Sequence, residues 1–157
     1  MVSGLFMLLV KDVMVTDLVT VGSSVSVKEA VSVMNDFEIG CLIVVEDGEV
    51  VGMLTERDVL RRVVEEGKRP EETLVRDVMS KPPIVVSPDA SLEEAVEIMF
   101  KHKVKKLPVV EKGKLVGLVT FTDVARIQPA MARTIKQLMD KYELPRRMEK
   151  VVRYYVI

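Results

Sequence analysis

The chain has 157 residues, of which 48% are hydrophobic and 30% charged, with a formal net charge of −1. Such a balance belongs to a globular protein of one ordinary or two small domains, and excludes a disordered chain. Near-neutrality excludes a global field pulling the molecule toward nucleic acid or membrane, and a single cysteine, Cys41, excludes an internal disulfide and argues against a zinc cluster.

The apolar start, Leu5–Val10, meets Lys11-Asp12 too early to span a bilayer and lacks a basic flank before it. It is expected to pack on the protein itself or at a subunit interface, and the protein is expected to be cytoplasmic. From Val10 onward the dominant feature is self-similarity, because residues 10–61 align without a gap on residues 75–126. Val10-Lys-Asp-Val-Met14 falls on Val75-Arg-Asp-Val-Met79, and Val44-Val-Glu46 on Val109-Val-Glu111. Gly52-Met-Leu-Thr55-Glu-Arg-Asp58 falls on Gly117-Leu-Val-Thr120-Phe-Thr-Asp123. Two copies suggest a pseudo-twofold pair rather than a solenoid.

Each copy parses as βαββα. A short extended piece comes first, at Leu18–Val21 and at Ile84–Val86. In the first copy Val27, Ala30, Val31, Met34 and Phe37 then recur at helical spacing, as do Leu92, Ala95, Val96 and Met99 in the second. Ser26 and Ser91, with Glu29 and Glu94 three residues on, match the capping-box pattern. Two strands follow, Leu42–Val45 and Val50–Leu54, joined by Asp47-Gly48; their counterparts are Leu107–Val110 and Leu115–Val119, joined by Lys112-Gly113. Glycine at the second turn position favours a two-residue hairpin. A last helix starts at Thr55 or Thr120. The polar stretch Glu65–Thr73 reads as a linker. Beyond Ile127, Pro129 can open another helix, with Met131, Ile135, Leu138 and Met139 as its apolar face. The end is basic, and Val151–Ile157 reads as a strand or a docking segment.

Little else carries chemistry. His102 is the sole histidine and has no partner at metal-ligand spacing. Cys41 and methionines such as Met34 and Met99 read as core filling. Lys101-His102-Lys103 and Lys105-Lys106 read either as a solvated face or, for Lys106 above all, as ligand-facing. No nucleophile–base pair, metal constellation or complete phosphate loop is present, so an enzyme is not expected.

The doubled βαββα unit, the repeated Gly-x-x-Thr-x-x-Asp and the Leu107-Pro-Val-Val110 strand resemble a tandem CBS (cystathionine β-synthase-type) domain pair, the Bateman module, over roughly residues 10–127. The resemblance implies an α+β (α/β-like) fold of two pseudo-twofold related units packed through their sheets. The first unit is expected at 1–67, the second at 68–127, and a C-terminal helical extension with a basic tail at 128–157. It also implies a regulatory module that senses energy state or a metabolite by binding an adenine nucleotide: AMP, ADP or ATP, with S-adenosylmethionine or NAD-type ligands as further options.

In that family each ligand site mixes both copies. By position, one site would join Thr16, Asp17, Leu18, Val19 and Thr20 with Ile39, Gly40 and Cys41, and with Thr120, Thr122 and Asp123 of the other copy. The second would join Ser80, Lys81, Pro82, Pro83 and Ile84 with Val104, Lys105 and Lys106, and with Thr55, Arg57 and Asp58. An ionised aspartate only accepts hydrogen bonds, which suits the paired hydroxyls of a ribose. A helix N-terminus suits phosphate. Arg57, Lys105 and Lys106 would let the Asp58 site tolerate more phosphate charge, whereas Thr122, Gly40 and Cys41 would suit the Asp123 site to AMP or adenosine.

A homodimer through helices is the expected assembly, with its orientation open and the regulated partner an unidentified protein. Two other readings are a ligand-free dimerisation scaffold, and nucleic-acid binding through Arg146, Arg147, Lys150 and Arg153. Against the latter stand the few charges, the absence of a groove-reading motif and the scarcity of aromatic side chains for base stacking.

Overall fold

The computed structural model describes residues 7–127 and 131–155, the side chains of 154 and 155 excepted. Leu5, Phe6 and Pro129, to which the sequence assigned roles, lie outside the described residues.

The mixed α/β fold expected from the repeat is present. In the first repeat, β1 (Thr20–Val21) precedes α2 (Val27–Phe37), then β2 (Cys41–Glu46), β3 (Glu49–Thr55) and α3 (Glu56–Val59). A π-helical turn, Leu60–Val64, continues α3. In the second, α5 (Leu92–His102) is followed by β4 (Lys106–Glu111), β5 (Lys114–Thr120) and α6 (Phe121–Ile127). Each repeat is preceded by one helical turn that the sequence reading left unassigned, α1 (Val10–Val13) and α4 (Val75–Val78). Two helices close the chain, α7 (Met131–Lys141) and α8 (Arg146–Tyr155).

Local rules account for the element ends. Ser26 and Ser91 accept the N–H of Glu29 and Glu94 at 3.1 Å, the serine's half of a capping box. Helices α2 and α5 both stop on a left-handed residue, Glu38 at φ 54 and Lys103 at φ 58. Both hairpin turns hold two positive φ values, Asp47 and Gly48 in one, Lys112 and Gly113 in the other. That matches the twist of the flanking strands and explains the glycines.

The sheet of the first repeat has the order β1-β2-β3, with Thr20 beside Ile43 in parallel and Cys41 opposite Thr55 in antiparallel register. In the second repeat β4 pairs β5, and Val86 makes a parallel bridge to Val109 where β1 would stand. At the end of β2 Glu46 accepts the Ser23 N–H at 2.7 Å and the Ser23 hydroxyl, which together hold its carboxyl below its ordinary range. Proline 88 stands at the position matching Ser23 and can offer neither donor.

Two compact units result, interleaved along the chain. One comprises the described residues up to Asp17, Ile84–Lys112 and Val116 onward; the other comprises Leu18–Pro83 with Gly113–Leu115. The turn α1 therefore belongs with the second repeat, where the Val10 and Lys11 N–H groups donate to the carbonyls of Ala90 (2.8 Å) and Pro88 (3.0 Å). By the same rule α4 belongs with the first, where Val75 and Arg76 donate to Val25 and Ser23, each at 2.9 Å.

Each unit has its own core. Val27, Ala30, Leu42, Val44, Leu54, Val75 and Val78 are fully buried in the first repeat's unit. Phe100, Phe121, Leu107, Val119, Ile135, Met148 and Val152 are fully buried in the other. Phe100 and Phe121 meet edge to face, with centroids 5.4 Å apart. The C-terminal extension is thus part of this core, and 146–155 is helix rather than strand. Met148 and Val152, four residues apart, turn one face of α8 inward, and that burial overrides the strand preference of its β-branched and aromatic residues. Phe37 corrects the expectation in the other direction: it continues the apolar spacing of α2 but stands 60% exposed.

Candidate functional site

The repeated Gly-x-x-Thr-x-x-Asp sits at the same structural point in both units, where the last strand runs into a helix. Its glycine is explained by a crossing chain. A Cβ on Gly52 would come within 2.8 Å of Met79 Sδ and of the Ser80 carbonyl oxygen. Ser80 there pairs with Met53 through reciprocal bonds of 2.8 and 3.0 Å. In the other unit a Cβ on Gly117 would come within 2.9 Å of Met14 Cγ, and Val15 pairs with Leu118. The segments after α4 and α1 thus run along β3 and β5 beside the motif.

The threonine caps. Thr55 Oγ1 accepts the Asp58 N–H at 3.1 Å, and Thr120 Oγ1 accepts the Asp123 N–H at 3.1 Å. The aspartates then diverge. Asp58 is buried at 7% exposure. Its Oδ2 accepts the Thr55 N–H at 3.0 Å, which completes the box. Its Oδ1 accepts the Ser80 hydroxyl at 2.9 Å and lies 3.7 Å from an Arg62 guanidinium nitrogen. Arg62 also donates to the carbonyls of Val78 and Met79, at 3.0 and 2.9 Å. Asp123 is more open, its side chain 23% exposed, and its Oδ1 accepts from Arg126 at 2.7 Å.

Of the residues assigned to the second site, the structure brings Thr55, Asp58 and Ser80 together within one unit. Arg57 lies on the exposed side of α3. The arginine that meets Asp58 is Arg62, one turn further on, which the sequence reading passed over. Lys81 is exposed, its Nζ 3.4 Å from the Arg76 carbonyl oxygen, and the Lys81–Pro82 peptide is cis. Pro83, Ile84 and Val104 are half-buried, as are Lys105 and Lys106, both of which hold partners. The Lys105 carbonyl accepts the Phe121 N–H at 2.7 Å.

Of the first site, Thr120 and Asp123 meet where β5 runs into α6, and Thr122 beside them is half-buried. Gly40 accepts the Glu56 N–H at 3.0 Å, and a Cβ there would run into the Glu56 carboxylate. Cys41 is buried in β2 and Ile39 is half-buried. Thr16, Asp17 and Thr20 are exposed, whereas Leu18 and Val19 are half-buried. His102 is exposed, and among the described residues no group of acids, cysteines and histidines is arranged to hold a metal ion. No helix among them is long and apolar enough to cross a membrane.

Known proteins carry the same organisation. The CBS domain family matches residues 10–65 and 75–130. CBS domain-containing protein YhcV of Bacillus subtilis is 40% identical over 116 residues, covering 74% of this chain and 82% of YhcV. An uncharacterised Methanopyrus kandleri protein is 36% identical over 129 residues; the match covers 81% of this chain but 66% of that protein. An inosine-5'-monophosphate dehydrogenase of Korarchaeum cryptofilum is 42% identical over 111 residues, which make up only 22% of the enzyme. Among solved structures, the CBS domain pair of protein MJ0100, in complex with 5'-methylthioadenosine and S-adenosylmethionine, aligns with a TM-score of 0.69 at 26% identity. It covers 78% of this chain and 96% of that one. On the two matched segments and the repeated strand–helix motif, the chain belongs to the CBS domain family as a tandem pair.

Proposed function

We propose that the chain is a regulatory module that binds an adenosine-containing ligand and is not itself an enzyme. The observation that carries this reading is the motif present twice, each time with a threonine cap and an aspartate in the first helical turn. A carboxylate held there can accept both hydroxyl protons of a ribose. The adenosine compounds bound by the MJ0100 pair support that class of ligand. A bound ligand regulates by favouring one of two states of the protein through differential affinity.

The two aspartates are proposed to serve unlike sets. The set of Asp123, with Thr120, Thr122, Thr16–Thr20 and Ile39–Cys41, takes a ligand of low charge such as AMP or adenosine. Its carboxylate is the more accessible, and among the described residues the exposed Arg126 pairs with it. The set of Asp58, with Thr55, Arg57, Ser80–Ile84 and Val104–Lys106, takes ADP or ATP. Asp58 Oδ1 already accepts the Ser80 hydroxyl, so a ribose hydroxyl would share that oxygen.

Titration calorimetry tests this with AMP, ADP, ATP with magnesium, S-adenosylmethionine and NADH, on the native chain and on Asp58→Ala and Asp123→Ala. Saturable AMP binding lost in Asp123→Ala, with ATP binding retained, is expected. No heat and no thermal shift with any of the five ligands would leave a dimerisation scaffold in place of a sensor.

A further inference from the structure

One arginine of the first repeat is held in place by backbone carbonyls and keeps an open edge. Arg62 lies in the π turn that continues α3, where the Glu65 N–H donates to the Leu60 carbonyl, five residues back, at 2.9 Å. Turns of this kind are frequent at functional sites. Arg62 Nη1 donates to the Val78 and Met79 carbonyls at 3.0 and 2.9 Å, which uses both of its hydrogens. The same nitrogen lies 3.7 Å from Asp58 Oδ1. Nε and Nη2 have no partner among the described residues, and the side chain is 40% exposed. These two nitrogens share one edge of the guanidinium, the fork that matches two oxygens of a single phosphate.

The second repeat has no counterpart to this arrangement. Ile127 stands where Arg62 does and Val15 where Ser80 does. Arg126 is 58% exposed and gives its bond to the Asp123 carboxylate itself. Arg57, the cation expected for the Asp58 set, is exposed on α3 and has no hydrogen bond among the described residues to fix it.

We propose that Arg62, rather than Arg57, makes the Asp58 set select a phosphorylated ligand, with Nε and Nη2 taking two oxygens of the phosphate attached to the ribose. This rests on the proposed role of Asp58 as the ribose acceptor. A 5′-phosphate hangs from the same sugar, so a cation beside the carboxylate is placed to meet it. Because Val78 and Met79 already hold the guanidinium, binding costs little side-chain freedom, whereas Arg57 would have to be ordered from solvent. Arginine 62 is thus a specificity residue: ADP gives it an anion to grip and adenosine does not. A clamp that merely holds residues 78–80 beside β3 would affect both ligands alike.

Titration calorimetry with adenosine and with ADP tests this in the Asp123→Ala chain, where the Asp58 set is the proposed site that remains. ADP should bind more tightly than adenosine. Arg62→Gln should shrink the ratio of the two affinities by at least about tenfold, as loss of hydrogen bonds between charged groups does. Arg57→Gln should shrink it less. Arg62→Lys keeps a donor for the two carbonyls but has no fork, and it decides the matter if Arg62→Gln changes the circular dichroism spectrum: it too should lose ADP affinity more than adenosine affinity. An unchanged ratio, whether from no loss or from equal losses of both ligands, would overturn the proposal, as would a larger drop for Arg57→Gln than for Arg62→Gln. If neither ligand binds, or if Asp58→Ala leaves ADP bound, the role given to Asp58 falls and this one with it.

Discussion

Asp58 and Asp123 occupy the same position in the repeat and differ in everything around it. Asp58 accepts from the Thr55 N–H and the Ser80 hydroxyl and sits beside Arg62, almost out of water. Asp123 is a quarter exposed and pairs with an exposed arginine. Truncating Asp58 removes two hydrogen bonds to a charged acceptor and leaves Arg62 without its neighbour, at a cost of about 1–3 kcal/mol. Truncating Asp123 removes a surface ion pair worth about 0–1 kcal/mol. Urea unfolding of the ligand-free variants should therefore show Asp58→Ala clearly less stable than Asp123→Ala. Equal losses would mean that the Ser80 and Arg62 contacts contribute nothing to stability. The motif itself was legible in the sequence because it is doubled. Its electrostatic setting was not, since Arg61-Arg62 reads as solvated charge and only the four-residue spacing from Asp58 hints at contact.

At the scale of elements, the repeat makes the order of strands and helices readable from the sequence, down to Thr55 and Thr120 at the helix starts. What escaped were α1 and α4, single turns whose four residues show no periodicity. Val151–Ile157 reads from its β-branched and aromatic residues as a strand or a docking segment, whereas its residues up to Tyr155 continue α8, with Met148 and Val152, four residues apart, buried in the core. The left-handed ends of α2 and α5 were equally silent, since neither Glu38 nor Lys103 is a residue that favours φ near 55. That conformation strains an L-residue, and only part of the strain is offset by the lower unfolded-state entropy of a side chain compared with glycine. Glu38→Gly and Lys103→Gly should each raise stability by about 0.5–1 kcal/mol in urea titrations. A loss at either position would show that the side chain there holds a contact worth more than the strain.

At the scale of the whole molecule, the repeat in sequence and the compact unit in space divide the chain differently. Each repeat is completed by the helical turn that precedes the other, and the second also by α7 and α8. The amphipathic spacing of Met131, Ile135, Leu138 and Met139 announced a helix, but no sequence pattern says what an apolar stripe will cover. The core of the second repeat's unit supplies the answer, and it makes the C-terminal helices structural rather than an appendage. Ile135 is fully buried among residues of the second repeat, so Ile135→Ala removes methyl groups from a closed core and leaves a cavity. The expected cost is about 2–5 kcal/mol. Ile127, on α6 and 50% exposed, serves as the control, and its alanine variant should stay within about 0.5 kcal/mol of the native chain. Chemical denaturation followed by far-ultraviolet circular dichroism measures both. A small effect at Ile135 would mean that α7 lies on the second repeat without being needed by it.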